Sequence, residues 1–404
     1  MSHWQLFQRF LRFGFLAWGG PVAQIAMLRK ELVDDERWVS SGRFNRTLAL
    51  YQVLPGPEAH ELCVYFGYLA KGRPGGVLAG LGFMLPGFLL MFALTWVYVT
   101  FGITGVARAI FYGIQPAVVA LIVRAMHRIG GHALHDRWLW GIAVVAAVAA
   151  LAGVPFWITL PVGGVAYLLV KREMPVLAAV LGVLFVAGAG AFVASRVAEV
   201  GLLPGLPVGP GAAGSDAPTA STGTGSESLS LLFLSGLKAG LLTFGGAYTV
   251  ISFLQRDAVS VGAWMTNSQF LDGLALSGVL PAPLIIFSTF VGYLGGGPLG
   301  AIALTVGIFL PAFSFTLIGH ELFERLIQHR PLHAFLDGVT VGVVGLITAT
   351  ALGLFLTAVT DLPRLLIFAV ALFLLFRWKN RLAILWIVLG AGVVGLALSA
   401  AGVV

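Results

Sequence analysis

Two carboxylates, Glu58 and Glu61, stand three residues apart directly behind the tetrapeptide LPGP (54–57), within an otherwise apolar stretch. Pro55 and Pro57 flank Gly56, and prolines at that spacing cannot continue a regular helix. Where helix resumes, Glu58 and Glu61 share a face and His60 points elsewhere. Inside a bilayer a carboxylate costs about 2.5–3.5 kcal/mol on insertion scales, so the pair needs a cation or a proton. Two roles are open: a fixed ion pair with Arg124 or another cation of the bundle, or a site where Glu58 or Glu61 takes up and releases a coupling proton.

A second interruption lies upstream. FLAWGGPVAQIAML (15–28) sets Gly19, Gly20 and Pro21 in the middle of a membrane-length apolar segment, and LLTFGGAYTVISFL (241–254) sets Gly245 and Gly246 at the matching place. Glycine weakens a helix, and lipid supplies no water to repair an opened backbone. An isolated glycine in a membrane helix mostly serves close packing. Here Pro21 also removes a backbone donor, and LPAP (280–283) repeats the proline motif with Pro281 and Pro283. Two opened helices in each half favour a binding site at the breaks, where free N–H groups and positive dipole ends attract an anion. Gln24, Ser288 and Thr289 are the neutral polar candidates beside the breaks, with helix packing the ordinary alternative for the two hydroxyls. Arg29 and Lys30 are the candidate cations; as span-end residues they would otherwise snorkel to the interface.

Composition dictates the elements that must carry these residues. Of 404 residues, 58% are hydrophobic and 10% charged, against roughly 25% charged in soluble chains. Apolar runs of about 18 or more residues recur from end to end, as membrane spans do. The expected fold is an all-α polytopic membrane protein in the lipid bilayer. The net charge of +7 makes no nucleic-acid face, because Lys and Arg stand singly or in pairs at the ends of apolar runs. One cysteine, Cys63, rules out an internal disulfide and a cysteine-built metal site; no metal and no cofactor is expected. Arg9 and Arg12 precede no compact apolar region with a cleavage signal, so the first segment is expected to stay in the membrane.

Residues 201–230, rich in Gly, Pro, Ser and Thr, read as a flexible linker between the halves 1–200 and 231–404. The halves repeat each other. GFLAWGG (14–20) aligns with GLLTFGG (240–246), Trp38 with Trp264, and LALYQVLPGP (48–57) with LALSGVLPAP (274–283). FGYL (66–69) then meets VGYL (291–294), and GFMLPGF (82–88) meets GIFLPAF (307–313). Leu284 and Phe287 stand opposite Glu58 and Glu61, so only the first half carries the carboxylates.

Spans are expected near 5–28, 47–70, 75–100, 108–127, 138–153, 156–170 and 175–195, then 231–254, 269–294, 299–319, 335–359, 365–377 and 382–403. Seven spans in the first half turn the second upside down, giving about thirteen transmembrane helices in two inverted repeats with broken helices. Lys71 and Arg73 lie in a loop whose counterpart GGGP (295–298) is uncharged, as opposite membrane sides require. Most other Lys and Arg share one side, which is then the cytoplasm and holds the N-terminus. Residues 29–46, with Arg29, Lys30, Arg37, Arg43 and Arg46, land on the wrong side. A first segment that re-enters, or twelve spans, is the competing topology.

FGFLAWGGPVAQIAMLRKELV, the RW that follows, and LALYQVLPGPEAHELCVYFGY resemble the first domain of the chromate ion transporter family. GLLTFGGAYTVISFLQRD, LALSGVLPAPLIIFSTFVGYLGG and GIFLPAF are similar to the second domain of its two-domain, long-chain members. The resemblance covers nearly the whole chain. It implies a bacterial inner-membrane carrier that expels chromate and confers resistance, with sulfate as the structural analogue of its cargo. By motif position it points to Gly19–Gly20–Pro21, Pro55–Gly56–Pro57, Gly245–Gly246 and Pro281–Ala282–Pro283. Ala282 departs from the family pattern, in which glycine is the more usual middle residue.

A dianion leaving an inside-negative cell gains about 2.3 kcal/mol per charge per 100 mV, about 4.6 kcal/mol in all, enough for roughly a thousandfold gradient. Export therefore needs no ATP, and the sequence has no phosphate-binding loop; proton antiport adds to the drive without being required. An enzyme is disfavoured by the lack of HExxH, GxSxG or CxxC, and a channel by the internal duplication, which completes a pathway within one chain. The remaining alternatives are a carrier of sulfate or another oxyanion and, behind it, an anion channel. A homodimer is a candidate assembly.

Overall fold

The computed structural model describes residues 1–102, 105–200, 227–244, 247–319, 330–378, 380 and 382–403, and among them every regular element is a helix. In chain order these are α1 (His3–Phe15), α2 (Gly20–Arg29), α3 (Ser41–Val53), α4 (Glu58–Phe101), α5 (Gly105–Ala133), α6 (Arg137–Leu151), α7 (Phe156–Lys171), α8 (Pro175–Val200), α9 (Leu229–Leu241), α10 (Val250–Gln255), α11 (Asn267–Gly278), α12 (Ser288–Leu317), α13 (Arg330–Ala358), α14 (Leu362–Arg377) and α15 (Ala383–Ala400). π-Helical turns extend α2 over Lys30–Asp35 and α10 over Arg256–Val261, and a 3-10 turn, Leu284–Phe287, precedes α12. Among the described residues six helices are long and apolar enough to cross a bilayer: Glu58–Phe101, Gly105–Ala133, Pro175–Ser195, Leu284–Leu317, Pro331–Ala358 and Ala383–Ala400. Large apolar side chains stand bare on them, Val183 at 69% and Val393 at 64% exposure, which lipid tolerates and water does not. The protein is a polytopic helical membrane protein.

The expected spans 5–28 and 47–70 are not single rods. On a continuous helix Arg12 and Glu31 would stand about 28 Å apart; they pair at 3.5 Å. Arg9 likewise pairs with Glu36, and Phe10 packs on Trp38. α1 and α2 are therefore the two arms of a hairpin that turns at 16–19. α3 and the first part of α4 form a second hairpin turning at 54–57, because Phe44 stacks on Phe66 at 5.6 Å where a rod would separate them by about 33 Å. Arms of about 13 residues reach ~20 Å, short of the ~30 Å hydrocarbon core.

The second half makes the same correction to 231–254 and 269–294. α9 folds back on α10 and its extension, where Asp257 takes Lys238 Nζ at 2.7 Å and the Ser235 hydroxyl. Lys238 and Asp257 occupy the repeat positions of Arg12 and Glu31, so an equivalent ion pair closes the equivalent hairpin. α11 folds back through the 3-10 turn onto α12, with Phe270 edge-on to Phe287 at 5.4 Å.

Each second hairpin then bends sharply into a long helix. Lys71–Gly72 (φ −145°, ψ 26°; φ 63°, ψ −159°) and Gly296–Gly297 (φ −155°, ψ 26°; φ 63°, ψ −154°) make the same bend at matching places. Its second residue combines positive φ with extended ψ, a region essentially reserved for glycine. Across the bend Gly67 lies on Gly75, and Gly292 on Gly300, with no room for a Cβ at any of the four. The long parts of α4 and α12 run past each other in opposite directions, Gly76 against Leu317 and Gly80 against Phe313.

The chain forms two compact units. The first comprises Met1–Arg124, Gly223–Phe323 and Thr357–Val404, and holds all four hairpins with α14 and α15. The second comprises Ala125–Thr222 and Glu324–Leu356; within it Gly163 and Gly164 of α7 meet Gly338 and Phe335 of α13. Each unit draws on both sequence halves. Of the expected linker, 201–226 lies outside the described residues, and Leu229 already begins α9.

Candidate functional site

Every hairpin brings the C-terminal end of one arm and the N-terminal end of the next to its tip. At the first tip Gly19 and Gly20 both take left-handed φ, 88° and 78°, and Pro21 enters the first turn of α2. Those dihedrals are what the glycine pair supplies. At the second tip Leu54 and Pro57 are extended and Gly56 has φ 155°.

The tips are joined across the two sequence halves, all within the first unit. Gln24, 1% exposed, donates from Nε2 to the Ala17 carbonyl at 3.0 Å and to the Ala282 carbonyl at 3.1 Å. The Gly56 N–H donates to the Thr243 carbonyl at 3.0 Å. The first hairpin of each half thus touches the second hairpin of the other. Ala17 and Thr243 are repeat counterparts, as are Gly56 and Ala282, so the two contacts are reciprocal.

This arrangement sorts the polarity of the breaks. The Ala17 and Thr243 carbonyls, which end first arms, are taken up by Gln24 and Gly56. The return arms α2, α4, α10 and the 3-10 turn ahead of α12 all begin without a side-chain cap. First-turn N–H groups have no intrahelical acceptor, so the surplus at the tips is of donors and positive dipole ends, which suits an anion.

Glu61 is fully buried, and neither carboxylate oxygen has a hydrogen-bond partner among the described residues. Its carboxyl lies against the Gly56 Cα, where an added Cβ would stand 2.7 Å from Oε1. Glu58 is half-buried one turn earlier. The alternative of an ion pair from Glu61 to Arg124 is absent among the described residues. His60 turns away from the carboxylates, its ring 4.9 and 4.8 Å from those of Phe309 and Phe313.

Of the hydroxyls, Ser288 is buried with Oγ unpartnered, whereas Thr289 is bound to Thr305 at 2.8 Å, the packing role. Arg29 and Lys30 are not beside the break. They end α2 about 15 Å along the helix from Gly20, where Arg29 donates to Asn45 at 3.0 Å and Ser41 at 3.3 Å and Lys30 is exposed. The breaks lie near the middle of each segment, so a cation one helix length further returns to the hairpin's mouth. Gly245 and Gly246 lie outside the described residues.

Sequence reasoning missed Thr243 and Tyr248. The Tyr248 hydroxyl crowds the Gly20 backbone, 3.3 Å from where a Cβ would be. Both residues are polar where the first half has Ala17 and Val22, and that mismatch within a repeat was the available signal.

A family model described as chromate transporter matches residues 4–169 and again 230–396. The chain is 56% identical to a chromate transport protein of Pseudomonas aeruginosa over 402 residues, 98% of this chain and 92% of that one. It is 31% identical to a chromate transport protein of Cupriavidus metallidurans, covering 97% and 92%. An uncharacterised transporter of Bacillus subtilis is 29% identical over 152 residues, 37% of this chain and 85% of its own length. No solved structure matches.

Proposed function

The chain belongs to the chromate transporter family, and we propose that it exports chromate across the inner membrane of a bacterial cell by alternating access, conferring chromate resistance. The observation that carries this reading is the reciprocal joining of four hairpin tips through Gln24 and Gly56. A doubly negative tetrahedral oxyanion is bound there by N–H groups of uncapped helix starts, with the Ser288 and Tyr248 hydroxyls as further donors.

The two halves act as inverted repeats. Equivalent parts of α4 and α12 run in opposite directions, and the Bacillus relative, about one repeat long, is consistent with a duplicated unit. Hairpins of one half open toward one side while those of the other stay joined. A hairpin returns the chain to the side it left, so a cytoplasmic N-terminus puts the basic residues of 29–46 in the cytoplasm as well, removing the exception to the charge rule.

Export runs down the membrane potential. Glu61 supplies coupling to protons: its unpartnered carboxyl faces the tip, and two unit charges 4 Å apart repel by about 4 kcal/mol at an effective dielectric of 20. Chromate therefore enters when Glu61 is protonated and leaves when it is not. Chromate uptake into everted vesicles, with potential and pH gradient imposed separately, tests this. Because the proton on Glu61 then crosses with the chromate, uptake should follow an inside-positive potential and be enhanced by an inside-alkaline pH gradient; Glu61→Gln should lose the second response and keep the first. No uptake under either gradient defeats the carrier reading. Undiminished pH response in both Glu58→Gln and Glu61→Gln defeats the coupling role alone. Counterflow of labelled sulfate against chromate decides whether sulfate is the preferred cargo.

A further inference from the structure

Away from the tips, another carboxylate is built into the second hairpin of the second half. Asp272 on α11 is 1% exposed; it accepts from the Tyr98 hydroxyl at 2.9 Å and from Gln115 Nε2 at 2.8 Å. Gln115 also donates to Ser268 Oγ at 2.9 Å. Tyr98 stands near the end of α4 and Gln115 in α5, so one carboxylate ties α11 to two long helices. Phe290 of α12 seals Tyr98 edge-on at 5.0 Å.

The partners are neutral. No salt bridge among the described residues includes Asp272. On α5, Tyr112 donates instead to Asp361 at 2.7 Å, and Arg108, two turns before Gln115, is exposed. On α12 the ionisable Tyr293 packs against Phe92. On α4, Arg73 begins the long part of the helix at the opposite end from Tyr98, and Glu58, His60 and Glu61 belong to the other hairpin's return arm. α15 has no ionisable side chain and α11 has none besides Asp272. A mere brace needs no charge here: asparagine would accept from Tyr98 and exchange hydrogen bonds with Gln115 without placing an uncompensated carboxylate inside a membrane, where such groups are costly.

Resting on the carrier reading above, we propose that Asp272 is a proton-binding residue of the transport cycle, and that its protonation loosens the hold of α4 and α5 on the α11–α12 hairpin. Ionised, the carboxylate accepts two charge-assisted bonds. Once one oxygen carries a proton it offers a hydrogen to a partner that also offers one, and the latch loses a bond. The device is one-sided, since the repeat counterpart of Asp272 is Arg46, an exposed residue of α3.

The test uses purified full-length protein in liposomes and two measurements: chromate exchange at equal pH on both sides, and chromate uptake driven by an imposed pH gradient. Wild type does both. Asp272→Asn is expected to keep exchange within about threefold of wild type, with its pH dependence flattened, and to lose the response to the gradient. Tyr98→Phe keeps the response but moves the midpoint of the exchange–pH profile to higher pH, because the carboxylate has lost a donor. A gradient response in Asp272→Asn equal to that of wild type overturns the proposal. So does loss of exchange together with coupling in a variant that elutes as folded protein, which marks a brace. Wild-type exchange with no response to a pH gradient overturns the proton role and leaves the carrier reading standing; no wild-type exchange at all overturns the carrier reading itself.

Discussion

Replacing Gln24 by alanine removes the side chain that joins the first tip to the tip of the opposite repeat. Its Nε2 serves the Ala17 and Ala282 carbonyls at 3.0 and 3.1 Å in a fully buried setting. Each buried polar group left without a partner costs about 1–3 kcal/mol; partial relaxation of the two tips brings the net loss to about 2–4 kcal/mol. Only the Ala282 bond crosses between tips, so about 1–3 kcal/mol of that loss falls on the arrangement in which they meet and shifts the balance between joined and parted tips by roughly 5- to 150-fold. In chromate counterflow with reconstituted protein, the half-saturating chromate concentration should rise at least about fivefold. The thermal unfolding midpoint in detergent should fall by only a few degrees, about what such a local loss costs a chain of this size. Gln24→Glu keeps the size but sets a carboxylate against two carbonyls and the incoming oxyanion, and should abolish exchange. A half-saturation within about twofold of wild type in Gln24→Ala, or exchange by Gln24→Glu equal to that of Gln24→Ala, would mean that the tips are not where chromate binds.

Asp257→Asn should destabilise the protein by about 1–3 kcal/mol in denaturant unfolding, because Asp257 is nearly buried between Lys238 and Ser235. Glu31→Gln, losing the looser and more exposed pair with Arg12, should cost under about 1 kcal/mol. In a Cys63→Ala background, His3→Cys and Arg43→Cys should react with a membrane-impermeant maleimide from the same side of the membrane; labelling from opposite sides would restore the single-crossing first segment. Asp361, in the loop ahead of α14, is held below its ordinary carboxylate range: burial opposes its charge, but the Arg364 N–H, the Tyr112 hydroxyl and the Arg364 guanidinium outweigh it. A depressed folded value stabilises above the unfolded value and is lost as pH falls through the folded one, so wild-type thermal stability should drop below about pH 4 more steeply than that of Asp361→Asn.

The helical membrane class was legible because apolar runs leave no other option, and the positions of the breaks because Gly19–Gly20 and Pro55–Pro57 forbid regular helix there. What the sequence concealed was the consequence of a break. A glycine pair in a membrane-length segment is compatible with a crossing that unwinds and with a hairpin that returns. The pairings that decide, Arg12 with Glu31 and Phe44 with Phe66, are contacts across the fold rather than along the helix. The misplaced basic residues of 29–46 were the one sign of a returning chain. Arg29 and Lys30 were assigned to the site by nearness in sequence, yet ten residues of α2 carry them away from it. Asp272 stayed hidden because it follows no motif: its surroundings come from α4 and α5.

The two halves agree in what shapes the fold and differ in what bears charge or donates hydrogen bonds. The bend at Lys71–Gly72 recurs at Gly296–Gly297, the Gly67–Gly75 approach at Gly292–Gly300, and the hairpin-closing ion pair in both halves. By contrast Gln24 faces Val250 in the repeat, Glu61 faces Phe287, Tyr248 faces Val22 and Asp272 faces Arg46. A carrier of two identical inverted halves would have inward- and outward-open states of equal free energy in the absence of gradients. Those four unlike positions remove the equality, and on the proposals made above Glu61 and Asp272 make it depend on protons. They cannot make transport one-way: linkage forbids a protein from favouring one direction at equilibrium, and the potential, about 2.3 kcal/mol per charge per 100 mV, does that work. What the asymmetric residues can set is which conformational step waits for a proton and on which side it is collected. In the proposed cycle, therefore, direction belongs to the membrane and timing to Glu61 and Asp272.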